Sequence, residues 1–418
     1  MRFSVSGTTS RKFTTAIATN RCRPYPASAA PTDPARSPVI VKQATFSARP
    51  IAADELKRLA EPSPNLILVF AAPAWFGDAS LGDELAMAFP DAIVLGCSTA
   101  GEISGNGVHA GHCIVTAARF ERSSLNVAST DLADMADSTA AGRRLAEQLR
   151  RDDLRAVLVF GQGVGINGSG LIEGMRSVLG ADVVITGGLA GDEGAFTRTW
   201  TIGPAGVSDR AVVGLGLGGP YLRFSHGSFG GWEPFGPPRK ATRCEGNVLH
   251  ELDGEPALTV YKRYLGDYAK DLPAAGLLFP FSRLTEERKS TGLIRTILGI
   301  DETEGSLVLA GDIQANGYLQ LMHASTDTLV RGAEAAAQAA GQMDSRAAAG
   351  LAILVSCVGR KLAMGARVDE EVEAVADVLG RNATLTGFYS NGEISPMFPG
   401  GDCKLHNQTM TITCLAED

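Results

Sequence analysis

GCSTAGEIS at 96–104 and GFYSNGEIS at 387–395 share one pattern, a glycine, four variable residues and then Gly-Glu-Ile-Ser. Gly96, Gly101, Glu102, Ile103 and Ser104 therefore fall on Gly387, Gly392, Glu393, Ile394 and Ser395 at one constant offset. Upstream of each copy the order is the same: an apolar run, an acidic-faced helical stretch, then a second short apolar run. A further β-like run follows each copy, Cys113 to Phe120 in one and Thr409 to Leu415 in the other. Matching segments in matching order imply duplication of a structural unit.

Working outward, β-branched runs alternate with helical stretches, and each run ends in glycine, as α/β units do. The first unit predicts a strand at 66–70, a helix at 81–89 and a strand at 92–95. A second predicts a helix at 140–150, a strand at 156–160, a helix at 171–179 and a strand at 183–186 running into GGLAGD. Runs at 210–216 and 222–226 are expected to close this half as an antiparallel pair. GGWEPFGPPRK, 230–240, crowds Gly and Pro where neither helix nor ladder persists, which puts a domain junction there. The expected fold class is α/β (mixed α+β): two related halves of mixed β-sheets flanked by helices, one domain over 46–232 and another over 233–418. Residues 1–45, basic and rich in Ser, Thr and Pro, read as a disordered leader.

Composition narrows the function. The 418 residues are 44% hydrophobic and 20% charged with a net charge of -8, which fits a globular protein and argues against a nucleic-acid partner. The longest apolar run, 66–76, is too short to cross a bilayer and contains Pro73, so no membrane partner is expected. Seven cysteines without a CxxC pair give neither a disulfide framework nor a zinc knuckle and point to reducing cytoplasm.

Several constellations carry candidate chemistry. Gly163, Gly165 and Gly168 match a dinucleotide loop, but the next strand ends in Thr186-Gly187-Gly188 where a ribose-binding acid belongs. A nucleotide-using enzyme is thus a distant alternative. Gly96-Cys97-Ser98-Thr99 resembles a nucleophile elbow without the helix that should follow it. Glu102, Asp192, Asp312 and Glu393 stand at glycine turns where open α/β sheets place ligand crevices, which suits a ligand ammonium. Arg360 and Lys361 offer a carboxylate partner, and together these groups describe an amino-acid-like ligand. Trp232, Phe235 and Tyr389 supply an apolar wall, and Asn407-Gln408-Thr409 a polar fixing group. The candidate ligand-binding residues are Cys97, Ser98, Thr99, Gly101, Glu102, Asp192, Trp232, Tyr389, Asn391, Gly392 and Glu393. Catalytic residues and a metal site are not expected.

At these motifs the chain resembles the FIST proteins, which carry FIST N and FIST C sensory domains. GCSTAGEISG and GGLAGD are similar to the N-domain motifs. GNVLHELDGEPALTVYKRYLG, SLVLAGDI, SCVGR, GFYSNGEISP and LHNQTMTIT are similar to the C-domain motifs, in the family's order from about residue 60 to the C-terminus. The resemblance implies a non-catalytic, cytoplasmic small-ligand sensor in signal transduction. Its partner would be a signalling protein such as a histidine kinase or a cyclic-di-nucleotide enzyme, because no output segment is visible in this chain. It also implies an alternative, a haem-binding nitric-oxide sensor, for which His226 and His112 are the candidate ligands; otherwise no cofactor is expected.

Overall fold

A computed structural model describes residues 39–61, 63–77, 80–105 and 107–418. The expected leader lies mostly outside these residues, but the ordered fold starts earlier than 46, because Ile40–Phe46 is already a strand.

The chain builds one unit three times, as β-α-β-α-β, a β-hairpin and a closing strand. The first repeat comprises β1 (Ile40–Phe46), α1 (Ala53–Ala60), β2 (Leu66–Ala71), α2 (Ser80–Ala88), β3 (Ile93–Ser98), the hairpin β4 (Glu102–Ser104) and β5 (Gly107–His109), and β6 (Cys113–Arg119). The second comprises β7 (Ser124–Asp131), α3 (Ser138–Leu149), β8 (Leu154–Gly161), α4 (Gly168–Leu179), β9 (Val184–Leu189), the hairpin β10 (Thr201–Gly203) and β11 (Gly206–Ser208), and β12 (Ala211–Gly218). The third opens with β13 (Leu222–Phe229) and is interrupted by an insertion. That insertion holds β14 (Glu233–Pro234), β15 (Arg239–Glu245), β16 (Val248–Leu252), β17 (Glu255–Pro256), α5 (Ala257–Leu265), β18 (Phe281–Leu284), β19 (Ser290–Arg295), β20 (Ile297–Asp301), β21 (Ser306–Leu309) and β22 (Tyr318–His323). The repeat resumes with α6 (Thr326–Met343), β23 (Leu351–Cys357), α7 (Val358–Met364), α8 (Asp369–Leu379), β24 (Thr384–Ser390), the hairpin β25 (Gly392–Pro396) and β26 (Cys403–His406), and β27 (Met410–Glu417).

Each hairpin leaves its own repeat. The described residues form sheets ordered β1-β6-β2-β3-β10-β11, β7-β12-β8-β9-β25-β26 and β13-β27-β23-β24-β4-β5. The second repeat thus completes the first repeat's sheet, the third completes the second's, and the first completes the third's. The register repeats too: Ile202 lies opposite Gly96, Ile394 opposite Gly187, and Ile103 opposite Gly387. A Cβ on Gly96, Gly187 or Gly387 would stand 1.8, 1.9 or 1.9 Å from a carbonyl oxygen of the parallel neighbour strand, so only glycine fits. The expected pairing of 210–216 with 222–226 does not form. β12 pairs β7 and β8, whereas β13 pairs β27, because the turn at Gly219-Pro220 hands the chain from one sheet to the next. The boundary at 232 therefore falls inside a repeat whose first strand belongs to the last sheet.

β2, β8 and β23 read LILVFA, LRAVLVFG and LAILVSC, near-continuous apolar runs suited to strands covered on both faces. Alternate side chains divide between two layers. Leu66, Leu68 and Phe70 meet Leu158, Phe160, Ile353 and Val355 in a shared central core, while Ile67 and Val69 turn to helices α1 and α2 of their own repeat. At the centre Phe388 stacks on Phe70 at 4.8 Å and meets Phe160 edge-on at 5.7 Å. Gly188 makes room there: a Cβ would lie 2.7 Å from Val355 and 3.3 Å from the Phe388 ring. The insertion packs its own cluster around Leu249, Tyr261, Phe281 and Leu307.

Candidate ligand site

The C-terminal ends of the central strands converge, and their loops are laced by main-chain hydrogen bonds. Ala100 N donates to Tyr389 O and Tyr389 N to Gly101 O, both at 2.8 Å. Gly191 N donates to Ser98 O at 2.8 Å, Ser98 Oγ to Gly191 O at 2.8 Å, and Asn391 N to Leu189 O at 3.2 Å. Ser98, Thr99, Gly101, Glu102, Asp192, Tyr389, Asn391, Gly392 and Glu393 are thereby brought to one end of the three-repeat body. Trp232 joins them at one remove, its Nε1 donating to Gln408 O at 2.9 Å. Cys97 does not face this region: its side chain belongs to the central core, and burial pushes its thiol well up.

The acids have internal partners. Glu102 accepts from Thr99 Oγ1 and from His112 N at 3.0 Å. Glu393 accepts from Ser390 Oγ at 2.8 Å, Thr409 N at 3.1 Å and Thr409 Oγ1 at 2.9 Å. The two arrangements are equivalent: each carboxylate holds a hydroxyl three residues back and an amide ahead, pinning the turn. Burial raises both carboxyls, Glu393 to about 7, against the pull of those donors. Asp192 caps its own loop, accepting from the amides of Phe196 at 2.9 Å, Thr197 at 2.6 Å and Arg198 at 3.1 Å.

The cations are likewise engaged. Arg360 forms a fully buried ion pair with Glu371 at 2.6 Å, and the same carboxylate accepts from Tyr389 Oη at 2.5 Å and Ser356 Oγ at 2.9 Å. A buried pair so bonded fixes the loop geometry rather than awaiting a ligand carboxylate. Lys361 Nζ donates to Ala100 O at 2.6 Å above Gly101, where a Cβ would meet it at 2.6 Å; burial lowers its ammonium.

Beside this knot lies a cleft of about 700 Å³, between the loop that follows β8 and the insertion. Met135, Val164, Ile166, Phe196, Leu277 and Leu298 give it apolar walls, and Asp271 stands at its rim. Three buried side-chain atoms without partners belong to residues that stand behind its lining: Gln162 Nε2, Asn391 Oδ1 and Gln408 Oε1. Gln162 precedes the lining residue Gly163, Asn391 Nδ2 donates to Gly163 O at 3.4 Å, and Gln408 Nε2 donates to Leu277 O at 2.8 Å. Buried polar atoms are normally satisfied, so an orphaned set beside one cleft marks it. The amides of Val164, Gly165 and Ile166 in its wall also lack hydrogen-bond partners among the described residues. Gly163 itself is a packing glycine, since a Cβ would sit 1.8 Å from Ala190 O. Gln408 was legible as a polar fixing group. Gln162, Asp271 and Leu298 were not, because nothing in their local sequence marks them.

Neither haem candidate fits. His226 lies in β13, 2% exposed and pulled down to about 4 by burial, while His112 is half-buried with Nδ1 2.7 Å from Ala110 O. Neither lines the cleft. Among the described residues no group of three or more His, Cys, Asp or Glu stands close enough to hold a metal, and no helix is long and apolar enough to cross a membrane.

The FIST N domain pattern matches residues 65–255 and the FIST C domain pattern residues 257–396. An uncharacterized protein of Methanocaldococcus jannaschii is 26% identical over 193 residues, which are 42% of this chain. The match spans 36% of that relative's length. A cyanuric acid hydrolase from A. caulinodans aligns over 91% of this chain and 99% of its own at 12% identity, with a TM-score of 0.32 that gives no basis for comparing folds or chemistry.

Proposed function

Because this chain belongs to the FIST family, whose domains are associated with sensory signal transduction and small-ligand binding, we propose that it is a non-catalytic cytoplasmic sensor whose ligand is an amino-acid-like metabolite held in the 700 Å³ cleft. The observation that carries this reading is the set of orphaned polar atoms gathered beside an otherwise apolar cleft. Such a lining, with few polar groups to fix orientation, is what small-molecule sites have. The ligand's carboxylate would meet the unpartnered amides of Val164, Gly165 and Ile166 near the start of α4, where the helix dipole favours an anion. Its ammonium would face Asp271. Glu102, Asp192 and Glu393 act in this reading as pins that hold the loops, and the signal passes to a separate protein such as a histidine kinase or a cyclic-di-nucleotide enzyme. The cleft suits signalling because it lies between the three-repeat body and the insertion, so occupancy bears on both.

A melting-temperature screen of free amino acids tests it. A ligand at a hundredfold excess over its Kd adds about 2.7 kcal/mol to native stability. One or more amino acids should give a saturable shift that Asp271→Asn and the cleft-narrowing Leu298→Trp both abolish while the unliganded melt stays put. A screen without any saturable shift, or a shift untouched by both variants, overturns the assignment.

A further inference from the structure

We propose a second ligand site, for a phosphoryl-bearing small molecule, in the cavity of about 590 Å³ between α4, the hairpin β25-β26 and the insertion's β18-β19 pair. The observation behind it is a buried cation without a counter-ion. Arg295 is 3% exposed, yet no carboxylate of the described residues approaches its guanidinium within ion-pairing distance. Its Nε donates to the main-chain oxygen of Asp312 at 3.3 Å and its Nη1 to Ile294 O at 3.0 Å, so Nη2 has no acceptor among the described residues. Gly311 lets the guanidinium lie against the main chain, for a Cβ there would stand 2.9 Å from Nε.

A second guanidinium shares the wall. The side chain of Arg283 makes no hydrogen bond or ion pair with the described residues; burial, with the Arg283 charge added to it, draws Arg295 down to about 10. Two repelling guanidinium groups, one of them buried, are costly to hold together unless an anion neutralises them. Of the remaining charges of the wall only the Asp312 carboxylate acts on Arg295, without forming an ion pair with it. Arg176 and Lys404 both turn to Asp402, at 3.2 and 3.8 Å, and Glu173 and Asp312 are exposed. The four cations and three carboxylates in the lining leave one positive charge in excess.

Guanidinium pairs recognise oxyanions through parallel N–H···O bonds, and a phosphoryl group offers more acceptor oxygens and more charge than a single carboxylate. The cavity exceeds what one phosphate fills, and Ile172, Leu293 and Leu405 line the rest of it, which fits an organic phosphate with an apolar portion. None of these residues belongs to the amino-acid-like cleft, so the two sites stand or fall separately.

The test is calorimetric titration of the full chain with pyrophosphate and, separately, with citrate as a carboxylate probe at matched ionic strength. Pyrophosphate should bind saturably, and Arg283→Gln, which removes no hydrogen bond or ion pair among the described residues, should weaken it about tenfold or more, a change of about 1.4 kcal/mol. Asp312→Asn should tighten it, since that carboxylate competes for Arg295; a purely structural Arg295 gives no such gain. Arg295→Gln should abolish binding, and if that variant does not fold, Arg283→Gln decides. Absence of saturable pyrophosphate binding, equal affinity in wild type and Arg283→Gln, or binding of citrate alone would each overturn the proposal.

Discussion

Replacing Phe388 by alanine probes the three-repeat architecture at its centre. The side chain is fully buried in β24 and contacts a ring from each of the other repeats, Phe70 at 4.8 Å and Phe160 at 5.7 Å. Truncating a buried phenylalanine costs about 3–5 kcal/mol, and the cost rises with the cavity left behind. Two lost ring pairings put this site near the top of that range, about 5 kcal/mol. That is a large share of the roughly 5–15 kcal/mol of a typical native state. Exchanged hairpins tie each repeat's sheet to the next, so the loss should appear everywhere at once. Denaturant unfolding of a Trp232→Phe background, followed by far-UV circular dichroism and by tryptophan fluorescence, checks this, because the remaining Trp75 and Trp200 report on the first repeat's sheet, remote in sequence from residue 388. Both signals should move together to a lower midpoint with a common slope. Phe398→Ala, at a side chain 63% exposed, should change stability by about 0.5 kcal/mol or less. A cost below about 2 kcal/mol, or a fluorescence midpoint that stays put while dichroism shifts, would refute the account of a shared core.

Gly96→Ala should cost about 3 kcal/mol or more, or prevent folding, because its Cβ would meet Val69 O at 1.8 Å with strands on both sides. Gly105→Ala, at φ +59 with open space around it, should cost only about 1 kcal/mol, and equal melting losses for the two would contradict the strand-contact explanation. Glu393 gives a pH signature. Its folded pKa of about 7 lies above the ordinary 4.5, so its contribution is fully present below about 4.5 and is lost as pH rises through 7, a span of about 3 kcal/mol. Urea midpoints at pH 4.5 and pH 8 should therefore fall more steeply for wild type than for Glu393→Gln; identical pH dependence would reject the buried, protonated carboxyl. In native-state thiol labelling, half-buried Cys244 should react before Cys97, whose thiol lies in the core. Earlier labelling of Cys97 would place it at a surface.

What could be read from the sequence, and what could not, follows from how each residue does its work. The echo between 96–104 and 387–395 was visible because two repeats keep the turn, the pinning glutamate and the crossing isoleucine together in one short string. The second repeat keeps the geometry while scattering the letters. Gly187 presses on Val159 as its counterparts press on their neighbours, but Asp192 caps a longer loop, and Thr201-Ile202 take the places of Glu-Ile after that loop. A duplication was thus legible where the structure holds a triplication. Sheet membership was illegible for a related reason: β12 and β13 read as adjacent strands in sequence, yet their partners are set by hairpins traded between repeats, a non-local choice that no window of residues records. The same logic separates pins from ligand groups. Glu102 and Glu393 looked like ligand acids because an acid after a glycine turn suits both tasks; only the hydroxyl and amide already bonded to each carboxylate assign them to holding the loops. Conversely, Gln162, Arg283 and Arg295 carry no motif, and they stand out through what they lack, a partner for a buried amide and counter-ions for two guanidinium groups. An absent partner is a property of three-dimensional surroundings, so the sequence is silent at the very positions from which the two proposed sites are argued.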